Sequence, residues 1–141
     1  MSIRIANTPE DVARCFPVMR ELRPALNGVE EFVERVHVQQ DEGFQLALLE
    51  MDGEVVTVAG FRIHHILATG LTLYVDDLVT AASARSQGHG KAMLDFLIAL
   101  ARERGCQFFT LDSGTHRQDA HAFYLRERMR ISSFHFVLPL R

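Results

Sequence analysis

Apolar residues recur along the chain at strand spacing, then at helical spacing, then at strand spacing again. Ile3-Arg4-Ile5 alternates and reads as a short first strand. Thr8-Pro9-Glu10-Asp11 then carries a helix start. Thr8 can cap it, Pro9 suits the first helical position, and the two acids face the positive end of the dipole. Val12, Cys15, Phe16 and Met19 follow at helical spacing, with Pro24 beyond the end. A second helix fits Val29 to Gln40, with Phe32, Val33 and Val36 facing inward. From Gly43 the period shortens. Phe44 to Met51 and Glu54 to His65 read as strands joined at the hairpin signal Asp52-Gly53, and Leu71 to Thr80 is a third strand after a turn near Gly70.

The helical period returns over Gly88 to Arg104, where Met93, Phe96, Leu97, Leu100 and Ala101 share a face and Gly105 marks the stop. Gln107 to Leu111 is a short apolar strand, Gln118 to Arg128 another helix, and Ile131 to Leu138 a last strand. A strand–helix–strand crossover implies that 71–80 and 107–111 run parallel. The expected order is β-α-α-β-β-β-α-β-α-β, an α+β layout. No repeat or linker interrupts it, so residues 1–141 read as one domain.

Composition narrows the function classes. Hydrophobic residues make up 48% and charged residues 23% of the 141, a balance that supports a packed core. The net charge of -3 argues against nucleic-acid binding through a basic surface. Cys15 and Cys106 lie far apart without metal-ligand spacing and read as buried thiols in a reducing cytoplasm. No apolar run approaches the ~18 residues of a membrane span. The seven histidines are scattered, and no metal site is expected.

One stretch carries candidate chemistry. Arg85-Ser86-Gln87-Gly88-His89-Gly90-Lys91 sits between a strand and the start of a long helix. Glycines there let the backbone approach a ligand, helix-start N–H groups point outward as donors, and Arg85 and Lys91 add positive charge. A diphosphate could be held this way. The plainer reading is a polar turn. Both the nucleotide P-loop pattern and the dinucleotide fingerprint are absent.

With these residues in place the sequence resembles the GNAT superfamily of N-acetyltransferases. Its signature R/Q-x-x-G-x-G/A falls on Arg85, Gly88 and Gly90, directly after Val75-Asp76-Asp77-Leu78-Val79-Thr80. A second element, A-x-x-F-Y, falls on Ala120, Phe123 and Tyr124. The resemblance implies the acyl-CoA N-acyltransferase fold, an α/β/α layering with a mixed, mostly antiparallel sheet, helices on both faces and a central splayed parallel strand pair. It further implies that Leu78, Val79 and Thr80 offer backbone groups to the pantetheine arm of acetyl-CoA. Arg85, Ser86, Gln87, Gly88, His89, Gly90 and Lys91 would take the pyrophosphate.

Tyr124 then resembles the general acid that protonates the departing thiolate. An ordinary phenol, near pKa 10, outlasts a thiol near 8.5 in its protonated form. For the base that relieves the incoming amine, Asp76 is favoured by its position in the family pattern, and Asp77 reads as structural. Alternation puts the two on opposite faces. His65 and His121 remain alternatives. The acceptor pocket would involve the first two helices and residues 64–70, with Arg23, Glu30, Glu31, His64 and His65 lining it or merely solvated.

Three departures from the family pattern matter. Arg117 stands where Asn is common. Arg128-Met129 replaces Gly-Phe, so the last helix is expected to end differently. The common seventh strand is missing, very short or supplied by another subunit, which makes a homodimer an expectation. The leading expectation is direct acetyl transfer to a primary amine. The rivals are a CoA-binding regulatory module without turnover and a generic anion-binding α/β protein.

Overall fold

The structure, a computed structural model, describes residues 1–141. Its elements are β1 (Ser2–Ile5), α1 (Pro9–Leu22), α2 (Val29–Gln40), β2 (Phe44–Met51), β3 (Glu54–Ile66), β4 (Gly70–Thr80), α3 (His89–Glu103), β5 (Phe108–Leu111) and α4 (Gln118–Arg126), with one 3-10 turn at Ala82–Ala84. The chain groups into two compact units, Met1–Thr110 and Leu111–Arg141.

In the first unit, local signals set the helix ends. The Thr8 hydroxyl accepts the Asp11 N–H at 3.1 Å, and Pro9 opens α1. Such a cap stabilises a helix by about 1 kcal/mol. The sheet order is β1-β2-β3-β4-β5, and β1 to β4 pair antiparallel in sequence. Alternation along the strands loads both faces. Phe44, Leu46, Leu48, Val58 and Val79 meet Val12, Cys15, Phe16 and Met19 of α1 and Phe32 and Val36 of α2. On the other face Ala59, Phe61, Leu73 and Val75 are buried along with Met93, Leu94 and Leu97 of α3. The result is the expected α/β/α layering.

β5 follows β4 through the α3 crossover and so runs parallel to it. The Gln107 N–H bonds to the Leu71 carbonyl at 2.8 Å, which fixes where β5 begins. Its four residues therefore flank only the first half of β4. The second half, Asp76 to Thr80, has a strand neighbour on the β3 side alone.

In the second unit α4 buries no residue fully. It ends on Arg128 in the left-handed region, φ 69°. The Arg128 N–H bonds to the Leu125 carbonyl at 3.1 Å and the Met129 N–H to the Tyr124 carbonyl at 3.0 Å. This is the Schellman arrangement, kept although arginine stands where glycine is favoured.

One expected element is absent. Ile131 to Leu138 forms no strand: residues 131–141 have no regular structure and all are exposed. A strand exists only when its N–H and C=O groups meet a neighbour's, and alternation supplies a face without supplying that neighbour. In consequence the β4–β5 pair lies at the edge of the sheet rather than at its centre.

Candidate active site

The second half of β4 is built around a bulge. Gly60 pairs with Asp77 and Phe61 with Val75, so Asp76 is the extra residue. The bulge overrides the expected alternation of the two aspartates. Asp77 faces Gly60 and Asp76 reaches Arg62, two residues on along the same face of β3. Both carboxylates therefore point to the side covered by α1 and α2.

Their partners differ. Arg62 Nε and Nη2 donate to Asp76 Oδ1 and Oδ2 at 3.1 and 2.9 Å, and the guanidinium lies 5.6 Å over the Phe44 ring. Arg23, at the end of α1, donates from Nε to Asp77 Oδ1 at 2.9 Å and from Nη2 to the Asp76 carbonyl at 3.1 Å. Asp77 Oδ2 takes no hydrogen bond and lies beside Gly60, where a Cβ would approach it to 2.8 Å. Burial, opposed by Arg23, pushes the Asp77 carboxyl above the ordinary carboxylate range. Arg23 is thus bound to the strand and not merely solvated.

The end of β4 exposes backbone on its open side. The Ala81 N–H bonds to the Val56 carbonyl at 2.8 Å. Antiparallel pairs alternate, so Val79–Val58 exchange hydrogen bonds while Leu78–Ala59 and Thr80–Thr57 do not. The 2.9 Å contact between the Thr57 and Thr80 hydroxyls fits the closer, non-bonded pair. Of the three expected residues, Leu78 and Thr80 turn their N–H and C=O groups away from β3, and Val79 turns its own toward Val58. The Thr80 carbonyl already accepts Arg85 Nε at 3.3 Å.

After the 3-10 turn the loop doubles back through two left-handed residues, Ser86 (φ 64°) and Gly88 (φ 83°). No neighbour crowds Gly88, so handedness alone asks for glycine there. The first helical bond of α3 is Ala92 N–H to the Gly88 carbonyl at 3.0 Å, and no side chain caps the helix. The N–H groups of His89, Gly90 and Lys91 therefore have no acceptor within the helix. Arg85, Ser86 and Gln87 are exposed; His89 is buried, so it contributes backbone and its ring packs inward. Lys91 pairs with Asp95 at 3.2 Å on the exposed face of α3.

In this unit the expected Asp76, Leu78 to Thr80 and Arg85 to Lys91 fall on one stretch from bulge to helix. Tyr124 belongs to the second unit, on α4, its ring 5.3 Å from that of Phe123. Burial pushes its phenol up, with Arg117 opposing. His121, the alternative base, bonds through Nε2 to the Gly114 carbonyl at 2.8 Å. His64 and His65 are exposed. Glu31 is held by the Asn27 N–H at 3.0 Å and Arg35 at 3.4 Å. Arg117 starts α4 without a side-chain cap. Cys15 is buried, its thiol pushed up to about 12 chiefly by desolvation; Cys106 is only half-buried, contrary to expectation.

This geometry offers an anion three helix-start amides and offers an extended ligand arm the open edge of β4. Residues 9–128 match the acetyltransferase (GNAT) family. The chain belongs to that family. An uncharacterized N-acetyltransferase of Bacillus subtilis (strain 168) is 35% identical over 133 residues, covering 93% of each chain. The aminoalkylphosphonate N-acetyltransferase of Salmonella typhimurium (strain LT2) is 34% identical over 101 residues, 69% of this chain and 62% of that protein. Among solved structures, an aminoglycoside N-acetyltransferase in complex with CoA has a TM-score of 0.86 at 13% identity, covering 99% of this chain and 94% of that one. The fold is therefore the GNAT fold and the protein is an acyltransferase of that family. Family membership supports a CoA-type acyl donor and sets aside the generic anion-binding reading.

Proposed function

We propose that this GNAT protein moves an acetyl group from acetyl-CoA to a primary amine by direct attack on the thioester. The observation that carries the reading is the one-sided β4 backbone at Leu78 and Thr80 leading into the start of α3, where Gly88 is left-handed and no side chain caps the helix. The amides of His89, Gly90 and Lys91 hold the pyrophosphate, with Arg85, Ser86, Gln87 and Gly88 shaping the approach and Lys91 adding charge. The pantetheine arm lies along β4 and bonds to Leu78 and Thr80, while Val79 packs beneath. A single catalytic domain spans 1–141, and the family match, which crosses from one compact unit into the other, supports that.

The amine nitrogen attacks the carbonyl carbon and the C–S bond breaks. Tyr124 gives its proton to the leaving sulfur, a role suited to a phenol kept protonated by burial. For the base, geometry favours Asp77 over Asp76. Both Asp76 oxygens are held by Arg62, whereas Asp77 has a free Oδ2 and a raised pKa. The relative that acts on aminoalkylphosphonates supports a small primary amine as acceptor. Two free thiols suit a reducing cytoplasm, and the open sheet edge suits a homodimer.

Thermal shift with acetyl-CoA, CoA and pyrophosphate in parallel tests the cosubstrate. A ligand at ~100 times its Kd adds about 2.7 kcal/mol of stability. Acetyl-CoA and CoA should raise Tm more than pyrophosphate; no shift at millimolar acetyl-CoA overturns the reading. Tyr124→Phe should lower turnover and leave CoA affinity unchanged, and an unaltered rate removes Tyr124 from the mechanism.

A further inference from the structure

We infer that Arg23, entering from the end of α1, is a positioning residue for the reaction: its guanidinium holds Asp77 by one oxygen and leaves Oδ2 to take the proton of the attacking amine. The inference rests on the reading of Asp77 as the base. Two Arg–Asp pairs meet at the β4 bulge, and their geometries differ. Arg62 occupies both oxygens of Asp76. Arg23 instead brings Nε to 2.9 Å and Nη2 to 2.8 Å of a single Asp77 oxygen, Oδ1. Nη2 also donates to the Asp76 carbonyl at 3.1 Å, on the residue that the bulge leaves out of the ladder. One planar fork thus ties carboxylate and bulge backbone together, a grip that a point charge does not make.

The chain fixes where this guanidinium starts. A residue before proline is pushed out of the helical region, so α1 ends at Leu22 and Arg23, ahead of Pro24, sits at ψ 72° with its N–H on the Met19 carbonyl at 2.9 Å. Two residues earlier Glu21 accepts the Ala82 N–H at 2.8 Å. The last turn of α1 is therefore pinned on both sides of Leu78 to Thr80. The charged groups facing Asp77 are Arg23 from α1, Arg62 from β3 and Asp76 from its own strand; Phe32 and Val36, buried on α2, are apolar. Of the two cations, Arg23 is the one bonded to Asp77 directly. Burial favours the protonated acid, and Arg23 opposes it. Without Arg23 the carboxyl keeps its proton to higher pH and loses its fixed orientation.

Titration of the Asp77 carboxyl by carbon-detected NMR in the full chain, assigned with Asp77→Asn, tests this without an acceptor. Arg23→Gln should raise the midpoint by roughly 1–3 pH units, the range for an adjacent opposite charge. Arg20→Gln removes a charge from the same turn of α1, where the guanidinium lies over Phe16, and should leave the midpoint in place. Arg23→Lys keeps the charge without the fork, so the midpoint should return toward wild type while kcat stays low. Thiol release from acetyl-CoA with aminomethylphosphonate supplies the rates. The acid limb of kcat/KM should move with the midpoint in Arg23→Gln, and KM for acetyl-CoA should not change. An unmoved midpoint in Arg23→Gln, an equal shift in Arg20→Gln, or wild-type kcat in Arg23→Lys overturns the inference. A midpoint that moves while the acid limb stays overturns Asp77 as the base.

Discussion

Arg62 grips Asp76 through two parallel hydrogen bonds, Nε to Oδ1 at 3.1 Å and Nη2 to Oδ2 at 2.9 Å. One residue on, Asp77 keeps an oxygen free. Neighbouring carboxylates on one bulge thus have unequal chemistry. Asp77→Asn should lower kcat by about 10²–10⁴-fold, the range of a lost general base. Asp76→Asn should chiefly destabilise, by about 1–3 kcal/mol, because Arg62 loses one of its two acceptor oxygens and the opposing charge. The wild-type rate should rise with pH through the raised pKa of Asp77, since the base acts deprotonated. Initial rates of thiol release check the Asp77→Asn and pH predictions and urea denaturation the Asp76→Asn one, and a rate lost only in Asp76→Asn reverses the assignment.

Gly60 has no room for a side chain. A Cβ there would stand 2.4 Å from the Phe44 ring and 2.8 Å from Asp77 Oδ2. The ring is buried and cannot swing aside without disturbing the α1–α2 face of the core. Gly60→Ala should cost about 1–3 kcal/mol by overpacking. Urea denaturation measures it, and a midpoint equal to wild type would show that Phe44 yields freely.

Arg128 holds a left-handed cap without glycine's freedom. Arg128→Gly should stabilise by about 1 kcal/mol, because the side chain makes the required φ unfavourable. Thermal unfolding monitored through α4 is the measurement. A lower Tm would mean that the arginine side chain contributes more than its strain.

Glu50 is bonded to Arg14, at 2.9 Å, and to Arg4, and these hold its pKa at about 2, below the ordinary 4.5. Between those values the unfolded chain binds more protons than the folded one. Stability from this group is therefore complete above 4.5 and is lost as pH falls through 2. Glu50→Gln should flatten that part of the stability–pH curve, read by denaturant titration at several acid pH values.

Much of the molecule was legible in the sequence because the signals were local. Thr8-Pro9 opens α1, Asp52-Gly53 turns the β2–β3 hairpin, and helical and strand periods mark the elements from β1 through α4 to within two residues. The phosphate-loop candidate was legible for the same reason, as glycine, charge and a helix start stand side by side in Arg85 to Lys91.

What only the tertiary structure decided depends on partners distant in the chain. The bulge that turns Asp76 and Asp77 to one side arises from pairing with Gly60 and Phe61, so alternation within β4 misplaced one of them. Which of Leu78, Val79 and Thr80 has free backbone follows from the hydrogen-bond phase against β3, and the burial of His89 at the start of α3 is likewise set by the packing around it. Ile131 to Leu138 has the alternation of a strand and no neighbour to pair with. Periodicity in a sequence reports which face a residue would present; the register and the partner come from contacts that the local pattern does not contain.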